Sequence, residues 1–364
     1  MRLAMMIRRI AVLSNFRLSR LLYPVIFVLL AACATRESPP PAAPARHPAL
    51  TRLIPADRWV EIPGAGRVPL RIWPAHGPER AVILALHGFN DSRDAWERPA
   101  PVLNDVGMTL IAPDLPGFGQ TAQRGGWAGT EALLRTATTL ATIIGREHPG
   151  VPLYIMGESM GGALATVLAA QPDAPPVAGY ILLAPALWDM DTGARTLTHL
   201  MAALAPHWRL SGHELPVHVT AADDMLALAR LYYDPLTLRD TSTVALAGLT
   251  DLMHQAARDA PAMHGQVLVV YGGRDQIIPA PAMAAAWQRM PPATRRDYIP
   301  NGYHLLLRSR DSAQVTADIT AWISQRDGFL PSGGDMAAAA WETDQKGHAT
   351  PLPILPGWMD WFSP

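Results

Sequence analysis

From residue 58 onward the chain alternates between short, continuously apolar runs and longer stretches whose apolar positions recur every three or four residues. "RWVEIP" and "VPLRIW" have the short alternation of a starting hairpin. "AVILALHG", "MTLIAPD", "VPLYIMG", "AGYILLAP", "QVLVVYGGRD" and "RRDYIPNGYH" follow, each apolar through its length and closed by Gly, Pro or Asp. Runs without polar alternation suit parallel strands buried on both faces. Between them, "GTEALLRTATTLATIIGREH", "GGALATVLAAQ" and "DSAQVTADITAWISQRD" carry helical spacing, the last opening on Asp311 and Ser312 as candidate caps. Strand and helix in alternation predict an α/β fold with a mostly parallel central sheet flanked by helices. Such sheets bind ligands at the C-terminal ends of their strands. His87, Asp114, Ser159, Asp275 and His304 all fall at those ends.

The ends of the chain break the pattern. Arg2, Arg8, Arg9, Arg17 and Arg20 precede an apolar run from Leu21 to Ala32, interrupted by Pro24. That run is far short of the ~20 residues a helix needs to cross a bilayer, and suits the core of a signal peptide. The single cysteine, Cys33, follows at once and excludes an intrachain disulfide. Residues 33–56 are proline-rich and predict an extended tether. Residues 57–330 form the body, and residues 331–364 read as a loosely ordered tail in which Trp358 and Trp361 are candidates to dock.

The 364 residues are 49% hydrophobic, enough for a large core. Lys and Arg number 30 against 31 Asp and Glu, and no nucleic-acid motif appears, so no nucleic-acid partner is expected. His207, His213 and His218 lack metal-ligand spacing, and no metal or cofactor is expected.

The pentapeptide Gly157-Glu158-Ser159-Met160-Gly161 lies between a predicted strand and a predicted helix, the setting of a nucleophile elbow. Glycines at 157 and 161 remove side chains that would collide in so tight a turn. A serine there could be a plain helix N-cap. Chain order weighs against that. Asp275 and His304 follow at the ends of the last two strands, giving Ser, Asp, His in the order an acyl-transfer triad takes on such a sheet. Asp275 could instead stabilise a turn, and His304 could pack beside Tyr303. All three at successive strand ends make Ser159 nucleophile, His304 base and Asp275 its orienting acid. The oxyanion would take the backbone N–H groups of Met160 and of Phe89, with Gly88 beside them and His87 packed behind.

"LALHGFNDSRDAW", "APDLPGFGQT", "GESMGG", "YGGRDQIIP" and "GYHLLLR" resemble the monoacylglycerol lipase and lysophospholipase branch of the α/β-hydrolases, over roughly Asp57 to Asp327. The resemblance implies the α/β-hydrolase fold, a helical cap insertion at about residues 186–264, and the same roles for Ser159, Asp275, His304, Phe89 and Met160. Glu158 departs from it, standing where many relatives carry His, as does Thr121 where Ser is common. Serine rather than aspartate at the elbow disfavours epoxide hydrolase or dehalogenase chemistry. The cap stretches "LTHLMAALAPHWRL" and "DDMLALARLYYDPLTL" either line an apolar tunnel for an acyl chain or pack the cap on the body. The expected activity is hydrolysis of lipid esters. A small-ester esterase or peptidase on the same fold, or a non-catalytic surface lipoprotein, are the alternatives. Leu30-Ala31-Ala32-Cys33 resembles the lipobox of bacterial lipoproteins, which implies a signal peptide over residues 1–32 and acylation of Cys33. By the same resemblance the mature chain is lipid-anchored in the bacterial cell envelope, at the outer membrane facing the periplasm.

Overall fold

The computed structural model describes residues 37–211 and 219–345. The signal-peptide reading, Cys33, His213, His218, Trp358 and Trp361 lie outside the described residues. Eight strands form the central sheet: β1 Arg58–Ile62, β2 Gly66–Trp73, β3 Ala81–Leu86, β4 Met108–Pro113, β5 Leu153–Glu158, β6 Gly179–Leu183, then β9 Val267–Gly272 and β10 Arg295–Ile299. Their spatial order is β1-β2-β4-β3-β5-β6-β9-β10. The β1–β2 and β2–β4 pairings are antiparallel and all the others parallel.

The continuous apolar runs have a simple cause. Residues alternate between two separate cores, one on each face of the sheet. Leu84, Leu86, Ile155 and Val269 face helices α2 Thr130–Glu147 and α3 Met160–Ala169, while Ile83, Ala85, Met156 and Val270 face α1 Pro99–Asp105 and α8 Ser312–Ser324. Every residue of β3, β4 and β5 is buried. Helix α8 forms where Asp311 was expected to cap it, but the Asp311 side chain makes no capping bond.

Between β6 and β9 the chain forms α4 Thr192–Leu204, β7 Arg209–Ser211, α5 Met225–Tyr233, β8 Asp240–Ser242 and α6 Thr243–Asp259. The insertion is therefore not purely helical: β7 and β8 pair antiparallel, and the Arg209 guanidinium holds the Asp240 carboxylate across them. Its longest helix, α6, carries Gly248 at mid-length, a residue that disfavours helix. Here it is required, because a Cβ at 248 would run into the indole of Trp127.

Two expectations about the ends need correction. Of the expected loose tail, residues 331–364, the part to residue 345 is described, and there α9 spans Gly334–Gln345 and follows α7 Ala280–Arg289 onto the sheet edge. Trp341 stacks on Tyr298 of β10 with ring centres 5.1 Å apart, and meets Trp287 of α7 edge-on at 5.0 Å. Arg295–Asp335 and Arg296–Glu342 ion pairs of 2.6 and 2.7 Å flank that aromatic contact. The extended tether is also docked from residue 37 onward. Glu37 pairs with Arg124 at 2.6 Å, and the Ser38 N–H donates to Asp240 at 2.6 Å. Further on, the Leu50 and Ile54 carbonyls accept from Arg230 and Arg93. Prolines keep the segment from forming ladders of its own, but leave its carbonyls free to accept these bonds.

Candidate active site

Strand β5 delivers Ser159 to the middle of the sheet's C-terminal rim, and α3 starts one residue later. Ser159 adopts φ 55° and ψ −113°, in the left-handed half of the map where a side chain is strained by ~1–3 kcal/mol. The surroundings hold it there. Its N–H donates to the Leu183 carbonyl at 2.9 Å, and its carbonyl accepts from Ala163 and Ala186 at 2.9 and 3.0 Å. A Cβ at Gly157 would strike the Gly161 backbone, and one at Gly161 would strike the Leu86 carbonyl. Only glycines permit the bend that Ser159 occupies.

His304 and Asp275 meet as their strand ends suggest. The loops after β9 and β10 touch, since a Cβ at Gly272 would collide with the Gly302 carbonyl. His304 Nδ1 lies 2.8 Å from Asp275 Oδ2, with the side chains 3% and 0% exposed. Asp275 Oδ1 accepts the N–H groups of Ile277 and Ile278 at 2.7 and 2.9 Å. With both oxygens engaged by donors, Asp275 is an acceptor for the imidazole, so Nδ1 carries the proton and Nε2 is the free acceptor. Ser159 and His304 line one cavity of about 620 Å³, together with Gly88 and Phe89.

Gly88 passes so near the elbow that a Cβ on it would lie 3.5 Å from the Ser159 Cβ. The Phe89 and Met160 amides donate to no backbone carbonyl among the described residues. Met160 is the first residue of α3, where N–H groups have no intrahelical partner. His87 supports this loop from behind. Its Nε2 accepts the Leu115 N–H at 2.9 Å, leaving Nδ1–H to donate to the Gly88 carbonyl at 2.7 Å. Burial pushes the His87 pKa down, which keeps the ring neutral and this tautomer in place. Asp114, another strand-end residue, is held by the Arg93 side chain and by the Arg93 and Gln120 amides, and so braces the rim.

The cavity wall is largely apolar. Leu246, Leu249, Thr250 and Met253 of α6 face it at helical spacing, opposite Trp188 and Ile278. Two residues at the site carried no sequence signal of their own. Arg308, four residues past His304, and Asp91, two past Phe89, are ion-paired at 2.7 Å, and Arg308 also bonds Glu158 of the elbow. Both stand within quoted stretches, Asp91 in "LALHGFNDSRDAW" and Arg308 in "GYHLLLR", but their separation in sequence hid the pairing. Among the described residues no cluster of three His, Cys, Asp or Glu is arranged to hold a metal ion. A serine and an aspartate-held histidine on one cavity, beside two amides with no backbone acceptor among the described residues, are the groups that acyl transfer requires.

Residues 77–311 match the family described as serine aminopeptidase, S33. The monoglyceride lipase of Mus musculus is 25% identical over 269 residues, covering 70% of this chain and 86% of its own. The monoacylglycerol lipase of Mycolicibacterium smegmatis is 23% identical over 270 residues, covering 71% and 94%. A soluble variant of monoglyceride lipase from Saccharomyces cerevisiae, solved with a substrate analog, superposes with a TM-score of 0.63 at 18% identity, over 79% of this chain and 99% of its own. That last similarity is one of fold.

Proposed function

Since the chain belongs to the serine aminopeptidase S33 family of the α/β-hydrolase fold and is a serine ester hydrolase, we propose that it cleaves lipid esters of the monoacylglycerol or lysophospholipid type through an acyl-enzyme on Ser159. The observation that carries the substrate class is the cavity of about 620 Å³ that Ser159 and His304 face, walled by one apolar side of α6. An acyl chain lying there buries methylenes worth ~0.8 kcal/mol each.

The His304–Asp275 bond supports the following steps. His304 Nε2 removes the Ser159 hydroxyl proton as Oγ attacks the ester carbonyl, and Asp275 holds the imidazolium that results. The Phe89 and Met160 amides meet the oxyanion. The imidazolium then protonates the departing alcohol as the ester C–O bond breaks. Water, deprotonated by the same Nε2, attacks the acyl-enzyme; the Oγ–acyl bond breaks, the imidazolium returns its proton to Ser159 Oγ, and the fatty acid leaves.

The family description raises a peptidase as the second reading. An aminopeptidase requires an anionic site for the substrate ammonium. Among the described residues lining the cavity the carboxylate is that of Asp91, already paired with Arg308. The favoured reading is therefore the lipid ester. A panel of p-nitrophenyl esters from acetyl to palmitoyl, run beside aminoacyl amides, tests it. kcat/KM rising about 10²-fold or more from acetyl to octanoyl supports the lipid reading; a maximum at acetate, or preference for the amides, overturns it.

The same proposal extends to an acylated Cys33 in the cell envelope. Only four Cα–Cα steps separate Cys33 from Glu37, which pairs with Arg124. Fully extended they reach about 14 Å, so an acylated Cys33 would keep the body close against the lipid surface.

A further inference from the structure

We propose that Arg308 is a positioning residue that locks the three loops of the active site to one another, by bridging Asp91 of the oxyanion loop and Glu158 of the nucleophile elbow from the loop that carries His304. The inference rests on the reading of Ser159 and His304 given above.

Each loop enters through a short, rigid link. Asp91 donates its N–H to the Gly88 carbonyl at 3.3 Å, closing the turn that holds Phe89, and its Oδ1 accepts the Ser92 N–H at 2.8 Å. Glu158 is the last residue of β5 and adjoins Ser159. Arg308 ends a 3₁₀ turn, Leu306–Arg308, whose Leu306 and Arg308 N–H groups donate to the His304 and Leu305 carbonyls. From there Nη1 reaches Asp91 Oδ2 at 2.7 Å and Nη2 reaches Glu158 Oε2. A planar guanidinium fixes the direction of both bonds at once, which an ammonium cannot do. The orientation of Phe89 N–H relative to Ser159 is thereby tied to the same group that fixes the His304 loop.

The arrangement is costly. Side-chain exposures are 8% for Arg308, 9% for Asp91 and 2% for Glu158. Burying such charges costs several kcal/mol each, and apolar residues would stabilise the fold as well. Burial pushes the Glu158 carboxyl up, against the pull of Arg308. Burial alone would weaken the Arg308 charge, but the Asp91 and Glu158 carboxylates outweigh it and raise its pKa. An expensive ion triad at the junction of three loops is explained by the geometry it enforces. Arg308 also borders the cavity, and its Nε meets no acceptor among the described residues, so direct contact with substrate is the competing role.

The test uses the full chain, an uncharged short ester and an alkyl boronic acid as a tetrahedral analogue. In Arg308→Met, kcat should fall about 10²-fold, the scale of losing one oxyanion donor, with KM within about 3-fold. The boronic acid should lose affinity by the same factor as kcat/KM. Arg308→Lys should restore roughly a tenth of the lost rate, since it keeps the charge without the fork. Should Arg308→Met fail to fold, Asp91→Asn and Glu158→Gln decide: each should lower kcat about tenfold at unchanged KM, by loss of a charge-assisted bond. Wild-type kcat in the folded variants overturns the proposal. So does a raised KM at constant kcat, which would make Arg308 a substrate-binding group. A fluorophosphonate that fails to label wild-type Ser159 indicts the underlying reading instead.

Discussion

The buried carboxyl pair under α9 makes stability depend on pH in a direction opposite to most ion-paired acids. Asp297 of β10 is fully buried, its oxygens meet no hydrogen-bond donor among the described residues, and the negative Asp318 carboxyl of α8 stands against it. Two facing carboxyls bond only with a proton between them. Burial first, then the negative charges of Asp318 and Asp335, push Asp297 up to about 8 from an ordinary 3.8. The folded chain therefore holds a proton that the unfolded chain releases near 3.8. Stability is greatest below that value, falls as pH rises through the window from about 4 to 8, and levels off above it. One proton corresponds to about 1.4 kcal/mol per pH unit, hence up to about 2.7 kcal/mol between pH 5 and pH 7. Asp297→Asn replaces the neutral carboxyl with an amide that donates to Asp318 without titrating. Melts of both proteins at pH 5, 6 and 7 should agree within about 1 kcal/mol at pH 5. They should separate on the order of 5 °C in favour of the variant at pH 7. Glu97, Asp240 and Asp251, held low by their arginine and other donors, pull the absolute curve the other way but are common to both proteins. Parallel curves for wild type and variant would refute the shared proton.

Other outcomes follow from the site and the chain's ends. Ser159→Ala should lower kcat by about 10⁴-fold or more, His304→Ala similarly, and the double variant little further, read on a p-nitrophenyl ester. Leu249→Trp puts an indole into the α6 wall of the cavity; loss of four buried methylenes, about 3 kcal/mol, should cut octanoyl kcat/KM by about 10²-fold and spare acetyl. Equal loss on both esters would contradict an acyl site there. Cys33→Ser should abolish acylation and leave an unprocessed precursor, with mass spectrometry of the N-terminus as the check; an unmodified Cys33 in the wild-type chain would end the lipoprotein reading.

The strands were legible because a sheet covered on both faces leaves unbroken apolar runs, and Ser159, Asp275 and His304 were legible because a parallel sheet gathers its strand ends. Helix α6 was not, because Gly248 answers to the distant Trp127 rather than to its own helix. Helix α9 was hidden for a related reason: its alanines show no face of their own, and Trp341 finds its partners on β10 and α7. Proline content marked residues 33–56 as an extended tether, but carried no sign of the 3₁₀ turn at Pro48–Thr51 or of the Glu37–Arg124 pair, 87 residues apart. Arg308 and Glu158 are 150 residues apart, and a buried ion pair has no local pattern to betray it.

The central claim is that Ser159 is the activated nucleophile. Incubation with an alkyl fluorophosphonate, followed by intact and peptide mass spectrometry, measures it directly. One adduct per chain is expected, carried by the peptide containing Gly157-Glu158-Ser159, absent from Ser159→Ala and slowed by excess monoacylglycerol. An unlabelled wild-type chain, or an adduct on another residue that persists in Ser159→Ala, would contradict the account.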